Sequence, residues 1–177
     1  MTDPSPTPET TGPPSRLDPG YTLGERDMLE AWLEFHRETL RWKVDGLSPE
    51  QLKERSVPPS TMSLLGLVRH MAEVERNWFR RVLDAQDAPG IFWNDEYPDG
   101  DFDLVDDAVV AEDMATWQTE VEAARTIAAA RTLDDTGIRR GQPCSLRWIY
   151  VHMIEEYARH NGHADLLRER IDGSTGD

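Results

Sequence analysis

The chain has 177 residues, with 19 Lys+Arg against 34 Asp+Glu, a formal net charge of −15 and a sequence pI near 4.7. That sign of charge argues against nucleic acid and anionic membrane as partners. The length fits one domain able to bury a core without staples, and the single cysteine, Cys144, excludes an internal disulfide framework and a Cys-rich zinc site.

Residues 1–20 carry six of the twelve prolines among Ser, Thr and Gly, a composition that cannot bury apolar surface and predicts a disordered or draped tail. There is neither a basic start nor an apolar stretch there, and no run of 18 apolar residues anywhere. The expectation is therefore no signal peptide, no membrane span and a cytoplasmic, reducing compartment.

From Glu25 to Val44, the residues Met28, Leu29, Trp32, Leu33, Leu40 and Val44 recur at helical spacing, with Gly46 placed to end that helix. Ser48-Pro49-Glu50-Gln51 combines an N-cap, a first-turn proline and a capping-box glutamine, so a short helix follows to about Arg55. After Pro58-Pro59, a second long helix over 62–85 carries Leu64, Leu67, Val68, Met71, Trp78, Phe79, Val82 and Leu83 inward. Residues 87–107 form a long excursion, and its aromatics Phe92, Trp93, Tyr97 and Phe102 favour a lid or flank over a linker. A third helix over 109–131 has Met114, Trp117, Val121, Ala124 and Ile127 or Ala128 on its inner face. Residues 132–143 are a turn-rich join. Ser145 then caps a fourth helix carrying Leu146, Ile149, Met153, Leu166, Leu167 and Ile171 to Gly173. With no alternating strand pattern, the fold class is all-α, a four-helix bundle over 21–173 between a Pro-rich tail (1–20) and a short C-terminal tail (174–177). Trp32, Trp78, Trp117 and Trp148 lie at core spacing.

The chemistry concentrates on the fourth helix. At 100° per residue, His152, Glu156, His160 and His163 fall within roughly 80° of arc, and Ile149 and Leu167 continue that stripe into the core. Glu156 is accordingly the one carboxylate expected off the solvated surface. Glu156 and His160, one turn apart, can reach the same ion. His70 on the second helix, one turn after Leu67, is the natural third ligand. Two histidines and a carboxylate with open positions suit Zn, Ni or Fe. A closed polar network of the same three groups is the competing reading. His152 and His163 fit supporting positions around the ligands, and His36 a satisfied core position. No Glu-x-x-His occurs, which argues against a dinuclear carboxylate site. Cys144, beside no obvious base, reads as a small semi-buried thiol.

Two stretches carry a family resemblance: Ser63-Leu64-Leu65-Gly66-Leu67-Val68-Arg69-His70-Met71 with Val74-Glu75-Arg76-Asn77-Trp78-Phe79, and Ser145-Leu146-Arg147-Trp148 through Glu155-Glu156-Tyr157-Ala158-Arg159-His160-Asn161-Gly162-His163 to Arg168. Over roughly Leu23 to Gly173 the chain resembles the DinB-like four-helix-bundle superfamily, DUF664 branch. The resemblance implies a divalent metal held by His70, Glu156 and His160. Glu156 stands where many relatives have histidine, a variant similar to the metal domain of mycothiol-dependent maleylpyruvate isomerase, in which zinc activates a low-molecular-weight thiol. The isomerase carries a further C-terminal domain and this chain ends at Asp177, so the resemblance implies the thiol chemistry rather than that reaction. The implied function is a metal- and thiol-dependent transferase or isomerase acting on mycothiol or a similar thiol and an electrophile, with a homodimer left open and the catalytic base and cofactor-binding residues unassigned. The alternative is a non-catalytic, stress-related binding or structural bundle with an incidental metal site.

Overall fold

The computed structural model describes residues 16–176, so 1–15 of the Pro-rich tail and Asp177 lie outside the described residues. Residues 16–20 have no regular secondary structure and run along the first helix, with the Arg16 guanidinium 4.8 Å from the ring centres of both Phe35 and Trp42.

Helix α1 (Glu25–Val44) stops at Asp45, where Gly46 adopts the left-handed φ of +75° that a side chain would resist. Its face buries Leu33, Leu40 and Val44, each contributing about 1.5–3 kcal/mol. In α2 (Pro49–Lys53) both bonds of the Ser48/Gln51 capping box are present. Ser63 caps α3 (Leu64–Glu75) through the Gly66 amide, and Ser145 caps α6 (Leu146–Asp172) through the Trp148 amide. With α4 (Gly100–Asp103) and α5 (Val110–Ala129), these elements form the helical bundle. Helix α1 packs chiefly on α6, and α3 on α5.

The structure departs from the sequence expectations in four places. The second long helix is α-helical only to Glu75 and continues as a π-helix over Arg76–Leu83, with the Asp84 amide on the Phe79 carbonyl. The join over 132–143 contains an antiparallel hairpin, β1 (Thr136–Arg139) and β2 (Gln142–Ser145), turning at Arg140-Gly141, both with positive φ. This mirror-image turn matches strand twist. The hairpin lies flat on the π-helical segment, because a Cβ on Gly137 would sit 1.8 Å from the Val82 carbonyl oxygen. Trp78 and Trp117 are buried as expected, but Trp32 is 40 % and Trp148 50 % exposed. Leu166 is exposed as well, since the 100° step turns it out of the buried stripe that holds Met153 and Leu167. Among the described residues, no helix is long and apolar enough to cross a membrane.

Candidate metal centre

Register on α3 brings His70 to the boundary of its buried face, and α6 crosses it so that the Glu156/His160 turn is opposite. One ligand atom each from His70, Glu156 and His160 lie within 4.8 Å of one another. The rings of His70 and His160 are 4.7 Å apart between centres, and Glu156 Oε2 is 3.5 Å from His160 Nε2. Small side-chain shifts bring donors so spaced to the separation of about 4.2 Å or less that one ion at about 2.1 Å from each requires.

The His70 ring is fixed by a group that sequence reasoning did not find. Asp101 Oδ2 is 2.8 Å from His70 Nδ1, which leaves Nε2 facing the cluster. Asp101 is buried on α4, inside the 87–107 excursion. That segment packs as a flank: Val105 is fully buried, Phe92 and Phe102 join the core, and Glu73 Oε1 accepts the amides of Ile91 (2.5 Å) and Phe92 (2.6 Å). A carboxylate behind a histidine sets its tautomer and raises its basicity as a ligand. Replacing Asp101 by alanine should weaken zinc binding about 10- to 100-fold in a chelator competition, with Asp101→Asn retaining part of the affinity. Unchanged affinity would contradict the assignment.

His152 and His163 flank this cluster. His152 Nε2 is 3.3 Å from Glu156 Oε1 and its Nδ1 is 3.4 Å from Glu155 Oε2, so Glu156 turns one oxygen to His160 and the other to His152. His152, Glu155 and Glu156 also bring ligand atoms within 4.8 Å, but Glu155 is exposed. The His152 ring is held between Trp148, stacked at 5.0 Å, and Trp78, edge-on at 4.5 Å. His163 Nδ1 lies 3.4 Å from His160 Nδ1. His36 is away from the cluster, with Asn161 Nδ2 donating to its carbonyl oxygen at 3.0 Å.

Burial, then the neighbouring charges of His70, His163 and Arg159, pull the His160 imidazole down to about 4. A neutral imidazole is the form that ligates metal, so the donor set suits a divalent ion without first losing a proton there. The sign of the pH effect on the metal-free fold follows. An unfolded histidine binds its proton near 6.5 and the folded one near 4, so the unfolded state holds more protons between those values. Stability at this position is full above pH 6.5 and falls by roughly 3 kcal/mol as the pH drops towards 4. Urea unfolding of the metal-free protein at pH 7 and pH 5 should show about 2 kcal/mol of this loss, and His160→Gln should flatten it. Equal slopes in the two proteins would contradict it.

Glu156 is not the lone inward carboxylate: its side chain is 20 % exposed, whereas Glu73, Glu75, Asp101, Asp113 and Glu120 are buried. The inner groups find partners that lie far off in sequence, such as Arg76 and Arg80 for Glu120. Cys144 is half-buried on β2, and burial pushes its thiol above the ordinary value.

The sequence model of the mycothiol-S-transferase family matches residues 28–173, a span that contains every residue of this cluster. No curated protein and no solved structure matches the chain.

Proposed function

The chain belongs to the mycothiol-S-transferase family, and from that premise we propose that it is a mononuclear metal enzyme joining the thiol of mycothiol, or a similar small thiol, to an electrophile. His70, Glu156 and His160 hold the divalent ion, with zinc preferred because two imidazoles and one carboxylate with an open position are its common catalytic set. The observation that supports this most is the convergence of three donor atoms within 4.8 Å from two helices inside the family match.

When bound, a divalent ion there supplies Lewis acidity that lowers the pKa of a thiol and so raises its thiolate fraction at neutral pH. The chain's own groups prepare the place. Asp101 aims His70, while Phe102, with its ring centre 5.2 Å from that of His70, covers one side of the imidazole. Trp78 and Trp148 hold His152 against Glu156 and limit the carboxylate's rotation.

The test is thioether formation from mycothiol and a chloronitroarene, followed by absorbance, with zinc-loaded and chelator-stripped protein. The reading predicts turnover that is lost on stripping and restored by one equivalent of zinc. Equal rates with and without metal, or no turnover with either, would favour the non-catalytic bundle.

A further inference from the structure

A cleft of about 440 Å³ begins at His70 and Asp101 and runs along one stripe of α3 and the π-helical segment, through Asn77, Trp78 and Arg81, to Arg139 of the hairpin. Trp93 closes it from the excursion. Two guanidinium groups therefore line a space that contains a proposed metal ligand, in a chain whose net charge is −15.

Their partners set them apart. Most arginines elsewhere are taken by carboxylates, as Arg37 is by Glu75, Arg76 and Arg80 by Glu120, and Arg147 by Glu25 and Asp134, while Arg140 and Arg170 are exposed at the surface. Among the described residues, the Arg139 side chain makes no ion pair or hydrogen bond, and its guanidinium lies 5.2 Å over the Trp78 ring. Arg81 gives its Nε–H to the Ala88 carbonyl and lies 5.6 Å over Trp93. It too has no carboxylate partner among the described residues. A guanidinium stacked on an indole keeps its edge for a planar oxyanion. Of the cleft's own inner carboxylates, Asp101 is engaged on His70 and Glu73 through Oε1 on the Ile91 and Phe92 amides, while Glu73 Oε2 is buried without a hydrogen-bond partner and Asp99 is exposed to solvent.

We propose that this cleft takes the electrophile, and that the electrophile carries a carboxylate read by Arg139 and Arg81 while its apolar body lies between Trp78 and Trp93. The inference rests on the thiol-transfer reading given above. It places the reacting carbon on the His70 side, where the thiolate sulfur forms the new S–C bond. With a chloroarene, chloride leaves with the bonding electron pair and the thiol proton passes to buffer.

The experiment pairs a chloronitrobenzoate with its neutral carboxamide, using zinc-loaded protein and mycothiol. Wild type should prefer the benzoate by about tenfold or more in kcat/KM, the order expected for one charge-assisted hydrogen bond. Arg139→Gln and Arg81→Gln should each remove most of that preference through KM for the benzoate. Arg170→Gln, an exposed arginine near the end of α6, should leave the ratio as it is. Equal use of the two electrophiles by wild type, or an unaltered ratio in Arg139→Gln and Arg81→Gln, overturns the proposal. If neither electrophile is turned over, the thiol-transfer reading has failed, and calorimetric titration with nitrobenzoate alone decides the cleft. Binding that weakens about tenfold or more in Arg139→Gln sustains an anion site, while absent or unaltered binding overturns it.

Discussion

Glu75→Ala is expected to cost about 3–5 kcal/mol of folding stability. Glu75 is completely buried. Its Oε1 accepts from Arg37 Nε at 2.8 Å and from the Tyr157 hydroxyl at 2.8 Å, and its Oε2 accepts from Arg37 Nη2 at 2.7 Å. Tyr157 in turn accepts from the Trp117 indole at 2.9 Å. The chain Trp117, Tyr157, Glu75, Arg37 thus links α5, α6, α3 and α1, one residue from each long helix of the bundle. Removing the carboxylate leaves the Arg37 guanidinium, only 4 % exposed, with a single remaining anion, Glu34, and leaves the tyrosine hydroxyl without its acceptor. For a domain whose whole stability is of order 5–15 kcal/mol, that loss is close to unfolding. Urea midpoints provide the measurement. A paired replacement, Arg37→Met with Glu75→Leu, should be less damaging than Glu75→Ala, because it strands no charge in the core. A paired variant at least as unstable as Glu75→Ala would contradict this account.

The second large effect is expected at the proposed ligands. His70→Ala and His160→Ala should each reduce zinc affinity by more than about 100-fold, beyond what loss of an orienting partner causes, and should bring thioether formation down to the stripped-protein rate. Their melting temperatures without metal should change far less than that of Glu75→Ala, since both imidazoles are partly exposed. Ligand loss and unfolding are separated in this way. Retention of zinc by both variants would show that the cluster is a polar network only.

The sequence made much of this legible. The bounds of α1, the capping box at Ser48 and Gln51, the Ser145 cap and the Gly173 stop are local features, set by spacing and by residues that satisfy helix ends. The turn of Glu156 and His160 follows from the 100° step alone, and His70 from its register with Leu67. What stayed hidden depends on approach between distant segments. Asp101 is one of several aspartates in an aperiodic excursion, and only the packing of Phe102 and Val105 singles it out. Glu75 reads as an ordinary helical glutamate until Arg37 arrives from another helix. The π-helical turn keeps the Trp78, Phe79, Val82, Leu83 spacing that an α-helix would also give. The hairpin strands are four residues each, too short for an alternating pattern to be recognised. Trp148 has core spacing but is spent on stacking against His152 at the surface of α6.

The central claim is that His70, Glu156 and His160 hold one metal ion. A crystal structure of the zinc-loaded protein, with anomalous data collected across the zinc edge, tests it most directly. The account predicts a single strong peak about 2.0–2.2 Å from His70 Nε2, a Glu156 carboxylate oxygen and a His160 ring nitrogen, with Asp101 still on His70 Nδ1. No peak among these three side chains, or zinc held by His152 and Glu155 instead, would contradict it.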